Sequence, residues 1–274
     1  MFNVIKMDLL RMKKGRAVYI SLAIIAFMLI MTTYMGSLEM GADGTVALQE
    51  ATNMQQVEEI QLGISFNMYG MELSMENLIL TFLQSGFLIL ITGIFASVFA
   101  CSEMSTGFIK NIAGVVKNRW SLVLSKNVVM FIFVLLEFIV VIAASLIGSK
   151  MFMPEISMSL STSFWKIIGL QYLLHASFAT VGLMFASLSQ SKVVSIILTV
   201  CLSTGIGSII VSYVDKLFEG TSFKVSNMLI SSNVGKLFGN LTTEMIYQSI
   251  IVFLFAIIVY NVISGLVIQK RDIR

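Results

Sequence analysis

Residues 128–149 read VVMFIFVLLEFIVVIAASLIGS, and 15 of the first 20 are Val, Ile, Leu or Phe. A helix needs about 20 consecutive apolar residues to cross the hydrocarbon core of a bilayer. One acid, Glu137, interrupts the run. Each central aliphatic or Phe residue favours insertion by about 0.3–0.6 kcal/mol, and together they outweigh the roughly 3 kcal/mol that a central carboxylate costs. The run therefore reads as a transmembrane helix that carries its acid with it. Five similar runs lie around it, at about 17–36, 78–100, 166–188, 193–213 and 247–268. The expected fold is an all-α polytopic membrane protein with six spans, forming a single transmembrane domain over residues 1–274. Only Ser189, Gln190, Ser191 and Lys192 separate the fourth and fifth runs, so these two should form a tight helical hairpin.

Charge sets the expected orientation. The first sixteen residues carry Lys6, Arg11, Lys13, Lys14 and Arg16 against Asp8 alone. Residues 37–77 hold seven acids (Glu39, Asp43, Glu50, Glu58, Glu59, Glu72 and Glu76) and no Lys or Arg. Positive charge stays in the cytoplasm when helices insert. With six spans and both termini inside, thirteen Lys and Arg fall on the cytoplasmic side and five outside. An odd number of spans would put the basic C-terminus outside.

Composition agrees with this class. The chain is 57% apolar and 12% charged, where soluble domains average about 25% charged. The basic residues flank apolar runs, so nucleic-acid binding gains no support. The first run is too long for a signal-peptide core and lacks a clear small-x-small cleavage site, so no cleavable signal peptide is expected. The two cysteines, Cys101 and Cys201, are far apart and indicate no disulfide framework. With one His and no clustered carboxylates, a metal site is not expected.

Three segments flank the spans. Phe2, Ile5, Leu9 and Met12 recur at helical spacing, with lysines elsewhere around the helix. They read as a helix lying in the cytoplasmic interface, or else as a basic flank that only sets topology. Residues 37–77 are long for a loop. There, 45–59 reads as helix and 60–68 alternates as an extended segment, forming either an external cap or a loop packed on helix ends. Residues 214–246 mix Phe, Leu and Ile with Gly, Ser and Asn. They read as short amphipathic helices that dip beside the last span and pack on the bundle or line an exit, since irregular backbone at that depth must be buried or wetted.

The sizeable cytoplasmic loop is 101–127. It holds Glu103 at the end of the second span, then Thr106, Gly107 and Lys110, then Lys117, Arg119, Trp120 and Lys126. This resembles the permease subunits of ABC-2 type transporters, whose pattern runs Glu, a Gly-Thr or similar pair, a basic residue, a short helix, then Arg and Lys before the next span. The pair is reversed here, as Thr106-Gly107. The resemblance extends over nearly the whole chain: the basic N-terminal helix, six spans, the tight hairpin and the amphipathic segment before the last span. It implies that 101–115 forms a cytoplasmic coupling helix on a separate ATPase subunit, present in two copies, with Glu103, Thr106, Gly107, Lys110 and Arg119 at the contact. It also implies a second permease chain, identical or homologous, and outward transport across a cell membrane of bacterial type. Small members with a long acidic first outer segment look similar to exporters of, or resistance permeases against, antimicrobial peptides.

Read from the residues alone, the loop is large enough to couple a soluble motor to the membrane. The plainer alternative is a topology signal whose Glu103 pairs locally. The chain has no Gly-x-x-x-x-Gly-Lys-Ser/Thr phosphate cradle, so any use of ATP must come from a partner; the resemblance implies that ATP and Mg sit on the partner ATPase, with no cofactor in this chain.

Within the spans, Glu137 and the lone His175 lie at similar depth and are expected to share a hydrogen bond, with Gln171 or Tyr172 nearby. They are either a polar patch on the substrate path or glue between helices. Methionines at the outer helix ends would suit a hydrophobic or peptide-like substrate. Two other functions stay open: an ion-coupled secondary transporter using Glu137, which would be expected to show an internal repeat that the chain lacks, and a non-transporting scaffold or sensor subunit. A serine protease built on Ser208 and His175 is not supported, because glycines such as Gly205 and Gly207 are ordinary packing positions in spans.

Overall fold

A computed structural model describes residues 2–38, 74–105, 119–217, 224–238 and 241–270. Thr106, Gly107 and Lys110, the helix and extended segment expected over 45–68, and most of the expected coupling helix lie outside the described residues. Within them the protein is helical throughout, with a single isolated bridge between Ser74 and Ser157.

The elements are α1 (Phe2–Lys14), α2 (Arg16–Leu38), α3 (Met75–Gln84), α4 (Phe87–Ser105), α5 (Trp120–Phe152), α6 (Thr162–Ser189), α7 (Lys192–Ser203), α8 (Ile206–Leu217), a 3-10 turn (Val225–Met228), α9 (Ile230–Lys236) and α10 (Thr243–Lys270). Four helices, α2, α5, α6 and α10, are each long and apolar enough to cross a membrane. A fifth crossing results if α3 and α4 are taken as one helix bent by 50°. The protein is thus a helical protein of the membrane-embedded kind.

The runs at 78–100 and 193–213 are not the continuous helices expected from hydropathy. Ser85 and Gly86 break the first. The Ser85 hydroxyl donates to the Phe82 carbonyl at 2.7 Å and accepts from the Phe87 amide at 3.2 Å. Thr204 and Gly205 break the second, where the Ser203 and Thr204 hydroxyls donate to the Val200 carbonyl at 3.0 and 2.8 Å. Side-chain hydroxyls compete with the helix ladder for its carbonyls, and a glycine then carries the chain through left-handed φ, +78° at Gly86 and +82° at Gly205. Hydropathy counts apolar residues and is blind to this chemistry. The two breaks lie side by side: a Cβ built on Gly86 would stand 3.7 Å from the Ser203 carbonyl oxygen.

Helix α6 is the axis of the bundle. Its most apolar window is 83% buried, against 22% for α2 and for α10, whose outer faces are left to lipid. Small residues let α4 approach it: a Cβ on Gly182 would fall 2.9 Å from the Gly93 carbonyl and 3.0 Å from the Ala96 Cβ. Without a hydrophobic drive between helices in lipid, such close backbone contact supplies the dispersion energy of association. Beside this seam the hydroxyls of Ser97 on α4 and Thr199 on α7 lie 3.0 Å apart. The expected hairpin between α6 and α7 is present. It turns at Gln190 (φ 52°), and the Ser191 hydroxyl caps the Val194 amide.

The described part of the 214–246 segment packs on the bundle, one of the two placements its composition left open. Ile230, Asn233, Val234 and Leu237 are buried. The carbonyls that end α9 receive side-chain amides from two other helices: Gln171 donates to Val234 at 2.9 Å and Gln84 donates to Gly235 at 3.1 Å. Asp215 accepts the Val225 and Ser226 amides at 2.6 and 3.2 Å; a hydrogen bond from the Ser226 side chain, the leading cause, and then these amides hold its carboxyl below the usual range.

Candidate functional site

The N-terminal helix α1 carries its one acid, Asp8, on the face that packs against α5, where Asp8 and Met12 are buried. One turn on, Arg11 reaches past Asp8 to the end of α4. Its guanidinium pairs with Glu103, donates to the Phe99 carbonyl at 3.0 Å and lies 4.2 Å over the Phe99 ring. Glu103 is only 3% exposed and takes a second cation, Lys126 of α5, at 2.5 Å. Next to Lys126, the Ser125 hydroxyl donates to Asp8 at 2.8 Å. Two acids and two bases from three helices therefore form one neutral, buried network. Beneath it, Phe99 stacks on Phe95, which stacks on Phe133 of α5.

Isolated buried charges are costly, and removing one partner of a buried pair costs about 3–5 kcal/mol. The network therefore fixes the positions of α1, the end of α4 and the start of α5 relative to one another. Burial, and next the Glu103 charge, push the Asp8 carboxyl up to about 6 against the opposing pull of Lys126, Ser125 and Arg11.

Arg119, the first described residue after 106–118, is also held. Arg119 donates to the carbonyls of Ile268 and Gln269 at 3.3 and 3.4 Å, capping the C-terminus of α10 where cations are favoured. Trp120 fills the space over Gly265, a position where any Cβ would meet its ring. Between α5 and α10, Asn127 donates to Asn261 and to the Val123 carbonyl, the latter at 3.2 Å. A small pocket lined by polar residues, Lys126, Asn127 and Asn261 among them, and by Val123, Leu183 and Ile268 opens beside this pair.

Of the residues singled out for the loop, Glu103 and Arg119 are placed at its two ends, each engaged within this chain. Local pairing, the plainer of the two sequence readings, describes the Glu103 side chain. Asp8, Arg11 and Lys126 were legible only as topology signals. A lone acid three residues before an arginine in an otherwise basic helix was the signal that could have marked them.

The expected hydrogen bond between Glu137 and His175 is not formed. Glu137 accepts from the Thr92 hydroxyl of α4 at 2.6 Å. His175 Nδ1 is 2.8 Å from the Gln171 carbonyl one turn back, and its ring packs edge-on to Phe138 at 5.4 Å. Gln171 and Tyr172 also turn elsewhere, to Val234 and to the Phe131 carbonyl. The period of 3.6 explains the miss: Phe138, one position on from Glu137, takes the place facing His175. Both residues are fully buried, with Glu137 Oε1 and His175 Nε2 lacking a hydrogen-bond partner. Among the described residues no group of three or more His, Cys, Asp or Glu could hold a metal.

No curated protein matches the chain. The profile of a family described as a protein of unknown function, DUF2705, matches residues 45–274. That match takes in every helix from α3 to α10, so the chain belongs to the DUF2705 family.

Proposed function

We propose that this protein is the membrane-spanning subunit of an ABC-2 type exporter. ATP bound with Mg and hydrolysed on two copies of a separate ATPase drives a hydrophobic or peptide-like substrate outward, through a path shared with a second permease chain. The chain crosses the membrane six times, counting the broken α3–α4 and α7–α8 helices as one span each, with both termini cytoplasmic. It has no ATP site of its own.

One observation carries this reading: the 106–118 segment begins and ends on residues clamped to different helices. Glu103 ties its start to α1 and α5, and Arg119 ties its end to α10. A push on a segment held in this way is delivered to three helices at once, as a coupling element requires. Thr106, Gly107 and Lys110 make the contact with the ATPase. Glu103 works from inside, transmitting that contact to the bundle.

The test is purification of the tagged chain from its native membrane in mild detergent, with mass spectrometry of what stays bound. A soluble ATPase carrying a phosphate-cradling loop, retained in stoichiometric amount, is the expected result. A clean complex without an ATPase would overturn the proposal and move attention to Glu137 and ion coupling.

A further inference from the structure

The face of α1 that turns away from the bundle has no role in the network. Phe2 and Leu10 are 87% and 50% exposed, and Asn3, Lys6, Lys13 and Lys14 are exposed with them. At 100° per residue, these six positions fall within one arc about a third of the way round the helix. The arc holds three ammonium groups and no acid, because the helix's only carboxylate, Asp8, is buried on the other side. None of the three lysines belongs to an ion pair among the described residues. The helix end is itself held, since the Tyr19 hydroxyl of α2 donates to the Lys13 carbonyl at 2.9 Å. The arc is thus presented in a fixed direction.

Two large apolar side chains between lysines, on a helix running into a membrane span, match the chemistry of a leaflet surface. Acyl chains take the apolar groups and phosphates take the ammonium groups. A neutral surface would satisfy Phe2 and Leu10 but leave the three charges without complement. Charge complementarity selects anionic phospholipid.

We propose that α1 is an anionic-lipid docking helix, with Lys6, Lys13 and Lys14 on headgroup phosphates and Phe2 and Leu10 in the acyl boundary. Asp8 and Met12 occupy its opposite, buried face, so the lipid contact and the ion network lie on two sides of one helix. The partner is the lipid surface of the membrane, and this inference does not depend on what the 106–118 segment binds.

The test uses the full chain reconstituted in vesicles of phosphatidylcholine alone or of equal parts phosphatidylcholine and phosphatidylglycerol. The thermal unfolding midpoint is higher in the anionic vesicles. The gain shrinks at high salt, where the screening length falls from about 10 Å to about 3 Å between 0.1 and 1 M. The triple variant Lys6→Gln, Lys13→Gln, Lys14→Gln loses most of the gain, and the corresponding triple Arg variant keeps it. Lys270→Gln, at the C-terminal end of α10, keeps it as well. Equal midpoints in the two vesicle types would overturn the proposal. So would a full gain in the Gln triple variant, or an equal loss in Lys270→Gln, which would make the effect one of general charge.

Discussion

The two ends of helix α4 are secured by opposite means. At Glu103, ionised groups from three helices neutralise one another in a nearly closed network. At Gly86, where α4 meets α3, the surroundings are held by neutral groups. Serine and threonine hydroxyls take ladder carbonyls at both breaks, and Gln84 and Gln171 donate to the end of α9. A neutral hydrogen bond contributes about 1 kcal/mol net, and a buried partner left without it costs about 1–3 kcal/mol. A buried ion pair is near break-even when whole and expensive when halved. The ionic end is therefore a rigid joint. The neutral end, where two helix breaks touch, is where the bundle can rearrange at lower cost.

Glu103→Ala should have the largest effect, since it leaves Arg11 and Lys126 with Asp8 alone, 3.6 Å from Arg11, to balance two buried charges. Unfolding measurements in detergent should show a loss of about 3–5 kcal/mol. A loss under 1 kcal/mol would erase the contrast between the two ends. This variant also damages folding, so it is a poor test of coupling to an ATPase, and Gly107→Pro is the better one.

Gly93→Leu tests the seam between the ends. Its side chain would meet Thr199 and Phe178, and overpacking of this kind costs about 1–3 kcal/mol. Gln171→Ala should cost less than Glu103→Ala, about 1–3 kcal/mol for a buried carbonyl left without its donor. Proteolysis should then report a loosened α9 before global unfolding. Loss of the whole fold instead would make the neutral end as rigid as the ionic one.

A pH slope tests the ionic end by itself. Asp8 has a folded value of about 6 against 3.8 for the free group. The folded state thus binds more protons between those values, and stability falls as pH rises from about 4 to about 6. Asp8→Asn should remove that slope, seen as flattened midpoints across the window. An unchanged slope would place the titration elsewhere.

How much of this was written in the sequence differs by region. The long apolar runs and the tight turn at Gln190 followed from residue type and spacing, because a bilayer demands about 20 apolar residues whatever packs beside them. The packing of the 214–246 segment was one of the two placements that the same demand left open. The helix breaks did not, because they depend on which carbonyl a hydroxyl chooses. The Glu103 network was hidden because Arg11 and Lys126 are also what a topology signal looks like, and pairing across 92 residues leaves no local trace. The missing bond between Glu137 and His175 shows that equal depth does not set the angle around the helix.

The most direct measurement is the ATPase activity of the purified complex with wild-type chain and with Gly107→Pro, the unfolding midpoint being followed in parallel. If 106–118 carries motor to membrane, Gly107→Pro reduces activity to that of the ATPase alone while the midpoint holds, because Glu103 and Arg119 keep their own partners. Wild-type activity in the Gly107→Pro complex would contradict the coupling role of the segment.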